Sequence, residues 1–313
     1  MKKLFYLFSA VILCFSCTGK TNTDAKAVLS KDEVKVAIDE TFAPIMEEEL
    51  GSFSLLHPDA DTLPIYCSED SAVRMFLSDS VHMAIITRKI SKEEEQYLRS
   101  RSYKLMQAPI ASDAFALIVN SQNTDTLIAL EEVKGIVNGS IKQWNQLANS
   151  NRSGDIKLVF DKSGSSTVRY MKDSLNNGKD LAPNAFAQGS AEKVIEAVNH
   201  DPNVIGVVGV DWLKERGDST LANFNGLGFN VMKVSALPLA SAQYKHPYQY
   251  YIATGAYPLV RRVYAVCKDP LVKSKLKLFY HFLKGERGQL IICKNSQLLP
   301  NSPVFVKSVA IKN

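Results

Sequence analysis

The sequence predicts an α/β protein built as two units, and three observations lead there. Short apolar runs alternate along the chain with stretches of helical periodicity, the pattern of parallel strands joined by crossover helices. Several strand-to-helix junctions carry small hydroxyl residues of the kind that cap helices. The 313 residues are 46% hydrophobic and 22% charged, near the globular average, and suffice for two domains at roughly 100–200 residues each.

In chain order, the apolar run at 34–38 reads as a strand and 42–50 as a helix. A strand at 63–66 leads to a short helix centred on 72–77. A strand at 83–86 precedes a Glu-rich, exposed helix over 92–100. Residues 114–119 form a further strand, 130–137 a helix, and 156–160 a strand that feeds a helix at about 168–175. A helix over 192–198 and a strand at 204–208 follow. The last elements are a strand at 263–266 and an amphipathic helix over 273–283.

The N-terminus points to export. Met1-Lys2-Lys3 is basic, and residues 4–16 (LFYLFSAVILCFS) form an apolar stretch too short to span a bilayer comfortably. It ends at Ser16-Cys17, a small residue before a cysteine, and polar residues follow. This looks like a bacterial lipoprotein signal: 1–16 is removed, Cys17 is lipidated and 17–32 is a polar tether. An ordinary signal peptide with an incidental Cys17 is the alternative. No later run reaches about 18 apolar residues, so the expected location is the cell envelope, on the periplasmic or outer face, held by acyl chains.

The formal charge of +5 falls to about +3 without Lys2 and Lys3. That is too small and too scattered for a nucleic-acid partner and compatible with an anionic ligand. Cys67, Cys267 and Cys293 are an odd set at long spacing, and no CxxC or HxxxH cluster suggests a metal. A Cys267–Cys293 bridge is left open. No cofactor motif is present, and the 163–167 loop is not a Walker A sequence.

Three junctions stand out: Thr41 before Phe42, Ser68-Glu69-Asp70-Ser71 before Ala72, and Ser163-Gly164-Ser165-Ser166-Thr167 before Val168. Each alone is a helix cap. Together, at the carboxyl ends of strands, they sit where open α/β sheets bind ligands. Free backbone N–H groups and hydroxyls converging there would replace the hydration shell of a small oxyanion.

An ordered set of landmarks over about residues 34–300 resembles the phosphate-binding (PstS-type) family of periplasmic binding proteins, which serve bacterial phosphate ABC importers. The landmarks include Asp39-Glu40-Thr41-Phe42-Ala43-Pro44, Ile85-Ile86-Thr87-Arg88, Ile110-Ala111-Ser112-Asp113-Ala114-Phe115, and Ile136-Val137-Asn138-Gly139-Ser140-Ile141-Lys142-Gln143-Trp144. Further along are Gly164-Ser165-Ser166-Thr167, Val204-Ile205-Gly206-Val207-Val208-Gly209, Tyr257-Pro258-Leu259-Val260-Arg261 and Gly285-Glu286-Arg287-Gly288-Gln289. The resemblance implies a two-lobed type II binding-protein fold. Each lobe would be a mainly parallel sheet flanked by helices, and two crossing segments would join them. Lobe one would be 33–118 plus 240–313 and lobe two 119–239, with the ligand in the cleft between. It also implies a monomeric, non-enzymatic carrier of inorganic phosphate that works with a membrane permease and its ATPase. The implied ligand residues are Thr41, Ser71 and Arg88 from lobe one, and Ser165, Ser166 and Thr167 from lobe two.

Two departures bear on the ligand. Counting back four residues from Ser165, where the family has Arg, gives Asp161, and the 68–71 loop lacks the usual glycines and carries Glu69 and Asp70. A charge swap would reconcile the first: Arg88 supplies the positive charge and Asp161 accepts the proton of hydrogen phosphate. Sulfate, with no proton to donate, would be excluded. Otherwise Asp161 pairs with Lys162 or Lys157 in solvent and the ligand has changed. Other function classes are an exported Ser-dependent hydrolase, although no GxSxG elbow exists, and a binding scaffold turned to sensing or to another oxyanion.

Overall fold

The computed structural model describes residues 32–213, 224, 226–271 and 273–302. The signal segment, Cys17 and all but the last residue of the expected tether lie outside the described residues. The chain opens with β1 (Glu33–Asp39), a 3-10 turn (Glu40–Phe42), α1 (Ala43–Leu56), β2 (Asp61–Cys67), α2 (Glu69–Leu77), β3 (Met83–Ile86) and α3 (Lys92–Ser100). The long β4 (Met106–Asn120) leads to β5 (Leu127–Ala129), α4 (Leu130–Asn138) and β6 (Lys157–Phe160). Next come α5 (Ser166–Tyr170), continued by a π-helical turn (Met171–Leu175), then β7 (Ala185–Ala187), α6 (Ala191–His200) and β8 (Val204–Gly209). After β9 (Phe229–Val231), β10 (Lys233–Ser235) and α7 (Gln249–Ala253), the chain closes with β11 (Val260–Cys267), α8 (Lys275–Lys284), α9 (Glu286–Asn295) and β12 (Leu299–Pro300).

The main sheet runs β2-β1-β3-β11-β4-β8-β6-β7, with β9 and β12 also pairing with β4. Strand β1 is parallel to β2 and β3, and β6 is parallel to β7 and β8. The central pair is antiparallel: β11 to β3 and β4, and β4 to β8. Parallel strands covered on both faces need near-continuous apolar sequence. Strand β3 (MAII) meets that need with every residue buried.

The sheet changes partners along β4. Its residues up to Ala114 pair with β11, and from Phe115 onward they pair with β8 and β9. One half of the molecule therefore stands on β1–β3, the other on β6–β8, and the extended strands β4 and β11 connect them. The apolar run alone predicts a strand of 114–119, whereas β4 has 15 residues. Pro109 and the polar pair Ser112-Asp113 mask its first half. Pro109 sits opposite Tyr264, where the register shifts, so its missing N–H falls at an irregularity of the ladder.

The described cysteines Cys67, Cys267 and Cys293 are free thiols, so no Cys267–Cys293 bridge is formed. Among the described residues no helix is long and apolar enough to cross a membrane. Strands β5, β7, β9 and β10, of three residues each, have no counterpart in the periodicity. Pairing makes them strands, not intrinsic preference. Helix α9 was implied by the family landmark at 285–289 and not by an apolar stripe.

Candidate functional site

Strand β1 ends on Asp39, whose Oδ1 accepts from the Thr41 backbone N–H at 3.1 Å and from its hydroxyl at 2.9 Å. This cap turns the chain through the 3-10 turn into α1, where Pro44 occupies the first turn. On the other half, β6 ends at Phe160 and the loop beyond it leads to Ser165. The Ser165 hydroxyl accepts from the Val168 N–H at 3.2 Å and starts α5. Ser166, the next residue, donates its hydroxyl to Asp39 Oδ2, joining the two halves.

A buried arginine completes the cluster. Arg261 on β11 donates through Nη1 to the Ser166 hydroxyl (2.6 Å) and through Nε to Asp113 Oδ2 on β4 (2.8 Å). Its guanidinium lies 4.1 Å from the centre of the Phe115 ring and 5.1 Å from that of Phe42, which holds the fork in one orientation. Gly209, at the end of β8, is the other close approach. A Cβ there would stand 2.6 Å from Thr41 Cγ2, so only glycine lets this strand end meet the Thr41 turn.

Three polar atoms in this cluster are buried without a hydrogen-bond partner: Arg261 Nη2, Asp113 Oδ1 and Asp161 Oδ1. Thr167 donates to the other oxygen of Asp161 over 3.4 Å. Burial pushes the Asp39 carboxyl up to about 7 despite the opposing pull of Arg261, and the nearby Glu69 charge adds to the rise. Burial likewise raises Asp113 and Asp161, again against Arg261. An unsatisfied buried donor or acceptor costs about 1–3 kcal/mol. A small oxyanion carrying one proton would accept from Arg261 Nη2 and donate to one of the two carboxylate oxygens.

Around the cluster the halves are stitched by further polar contacts. Glu69, on α2, accepts from the Thr87 N–H (2.6 Å) and hydroxyl (2.7 Å) and from Arg169 Nε of α5 (2.5 Å). Lys162 donates to Glu40, and the Asp70 N–H reaches Gly164 O at 3.4 Å. The Trp212 indole donates to Thr41 O at 3.0 Å, and Asp211 accepts the Ile45 N–H at 2.9 Å.

The structure thus brings together Thr41, Asp161, Ser165, Ser166 and Thr167. It does not bring Arg88 or Ser71 into contact with them. Arg88 forms a two-pronged ion pair with Glu94 (2.7 and 2.8 Å), the residue that completes the Ser91 cap of α3. Ser71 accepts from Ser68 and Arg74 within the first turns of α2. The solvent pairing considered for Asp161 is not seen either: it is buried, Lys162 is engaged by Glu40 and Lys157 by Asp201 at 2.8 Å.

Sequence reading missed Asp39, Asp113, Arg261, Glu69 and Arg169 as partners. One signal was present. In VRRVYAVC, Arg261 is in phase with Val263, Ala265 and Cys267, all buried, whereas Arg262 is out of phase and exposed. A cation in the buried phase of a strand needs a buried partner. Among the described residues no group of His, Cys, Asp and Glu is arranged to hold a metal ion.

Comparison with known proteins gives the family. The profile of the PBP superfamily domain matches residues 21–286, so the chain belongs to that superfamily. A phosphate-binding protein PstS of Staphylococcus haemolyticus is 21% identical over 289 residues, covering 90% of this chain and 87% of its own. One from Borreliella burgdorferi is 24% identical, over 90% of this chain and 95% of its own. A crystal structure of a putative phosphate ABC transporter substrate-binding protein with bound phosphate, from Clostridium perfringens, superposes with a TM-score of 0.69 at 19% identity. It covers 86% of this chain and 100% of the other.

Proposed function

We propose that this PBP-superfamily chain is the substrate-binding component of a phosphate ABC importer, capturing inorganic phosphate for a membrane permease driven by its ATPase. The observation that carries the reading is the buried, unpartnered Nη2 of Arg261 in one cluster with the unpartnered oxygens of Asp161 and Asp113. The names of the relatives, phosphate-binding proteins and a transporter component with phosphate bound, agree with it.

In this reading the lobes are 33–118 plus 240–313 and 119–239, and the ligand lies between them. Arg261, in place of Arg88, supplies the positive charge. The hydroxyls of Thr41, Ser165, Ser166 and Thr167, turned from Asp39 and Asp161 toward the anion, and the adjoining amides act as neutral donors. Asp161 accepts the proton of hydrogen phosphate, and that acceptor turns sulfate away, because oxygen facing oxygen leaves a desolvated clash. The pairs Glu69–Arg169 and Glu40–Lys162 hold the lobes closed, and closure is what a permease would sense. The chain performs no turnover, works outside the cytoplasm as a monomer and is anchored through acyl groups on Cys17.

Calorimetric titration of the protein, purified free of phosphate, tests this. Phosphate should bind at micromolar concentration or tighter and sulfate should give no heat. Tight sulfate binding, or no response to phosphate, would sink the proposal. Lipid on Cys17 is checked by the intact mass of protein extracted from membranes.

A further inference from the structure

The charges around the site do not balance in pairs. Arg261 is committed to Asp113, Arg169 to Glu69 and Lys162 to Glu40. Asp161 and Asp39 are left without a cation of their own, and both are buried. The titratable and charged groups from the elements packed around Asp39 are Arg261 on β11, Asp113 on β4, Glu69 on α2, Cys67 opposite it on β2 and Glu40 next in the chain. On the far side of the seam are Asp161 and Lys162, beyond β6.

Asp39 is also the carboxylate that touches both halves. It accepts from Thr41 on its own side and from Ser166 on the other, and Arg261 donates to that same Ser166 hydroxyl. An anion seated among Thr41, Ser166 and Arg261 adds negative charge next to Asp39 in a medium that screens poorly. The nearest carboxylate relieves the repulsion by taking a proton, because a like charge at short range disfavours ionisation.

We propose that oxyanion binding is coupled to uptake of one proton by Asp39. This rests on the phosphate reading above. The step moves one proton from solvent to a carboxylate oxygen of Asp39 and breaks no other bond. The neutral carboxyl then donates a hydrogen bond where the carboxylate could only accept. The site thereby holds phosphate with one proton more than hydrogen phosphate on ionised carboxylates would carry.

Burial pushes the Asp39 carboxyl up to about 7, so at pH 8 it is mostly ionised before binding and uptake is close to a full proton. Titration with phosphate at pH 8, in two buffers of different ionisation enthalpy, reads that number directly. The expected result is close to one proton taken up by the wild-type protein, with affinity falling roughly tenfold for each pH unit above 8. Asp39→Asn, whose amide cannot titrate, should lose the uptake and the pH slope together, a change that a merely structural role for Asp39 would not produce. Phosphate binding with no proton uptake, or an Asp39→Asn protein with the wild-type proton count, overturns the inference while leaving the phosphate reading standing. Should that variant not fold, Asp161→Asn and Asp113→Asn decide: proton uptake that persists in both supports Asp39, and uptake lost with either one overturns the inference. No phosphate binding anywhere between pH 6 and 9 overturns both.

Discussion

The two halves that meet at the site present opposite electrostatic faces. The half standing on β1–β3 brings carboxylates to the seam: Asp39, Glu40 and Glu69. The half standing on β6–β8 answers with the Ser166 hydroxyl and the cations Lys162 and Arg169, and adds one buried carboxylate of its own, Asp161. At the site, the pair that does not cross the seam is Arg261 of β11 with Asp113 of β4. The difference separates two kinds of contact. Pairs across the seam, Glu69 with Arg169 and Glu40 with Lys162, keep at least one partner partly exposed to water. The Arg261–Asp113 pair is buried with the strands themselves and has no solvated alternative short of unfolding.

The sharpest way to break this contrast is Arg261→Met. It leaves Asp113 buried beside an apolar chain, and removing one partner of a buried pair costs about 3–5 kcal/mol. Denaturant unfolding should show that loss, and phosphate binding should vanish with it. A stability change within about 1 kcal/mol would mean that Asp113 does not depend on the pair.

Next in size is the seam itself. A double-mutant cycle on Glu69→Gln and Arg169→Gln should return a coupling of about 1.5–3 kcal/mol for these charge-assisted bonds. Burial raises the Glu69 carboxyl, but the Arg169 hydrogen bond and charge, together with Thr87, outweigh it. The group ends below its ordinary value of 4.5. A depressed carboxyl contributes stability that is present above 4.5 and lost as pH falls through the folded value. The coupling measured at pH 7 should therefore fade in acid below 4.5, and a coupling that persisted at pH 2 would assign the effect to packing.

Glu49 on α1 offers a control away from the seam. It is fully buried among Ile45, Met46, Leu50 and Phe53, both its oxygens lack a partner, and burial pushes its carboxyl up to about 9. The raised value means the folded state keeps a proton that the unfolded state loses, so stability falls as pH rises from 4.5 to 9. Glu49→Leu should stabilise the protein by about 1–2 kcal/mol at neutral pH and flatten that part of the pH profile, read by thermal melting. The smallest effect belongs to Lys162→Ala. Its pair with Glu40 is partly exposed, so solvent screening limits the loss to under about 1 kcal/mol, and added salt should shrink it further.

Much of the fold was legible because its causes are local. The apolar run at 83–86 and the Ser91–Glu94 capping box around 92–100 give β3 and α3 with the bounds read from the sequence. The cap at Ser165 is legible for the same reason, whereas Thr41 is not a cap: Asp39 caps the turn and Thr41 donates to it, and α1 starts after Phe42 without a side-chain cap. Strand β4 was read at less than half its length, since Pro109 and Asp113 look like breaks until β11 supplies a bulge for one and an arginine for the other. Arg88 was assigned the role of cation from its place in a landmark, yet a carboxylate six residues on, Glu94, takes its guanidinium.

By itself the sequence determined the alternation of strands and helices, the capped turns at strand ends and the family to which the chain belongs. The first two depend on neighbours a few residues apart, whose geometry the peptide backbone constrains directly, and the third on the order of such local landmarks along the chain. Only the tertiary structure decided which charges serve the site. Asp39 and Ser166 lie 127 residues apart, and Arg261 and Asp113 lie 148 apart. A charged side chain gains or loses its partner according to what folding buries beside it. Coulomb interactions become strong and selective only where the assembled chain has excluded water.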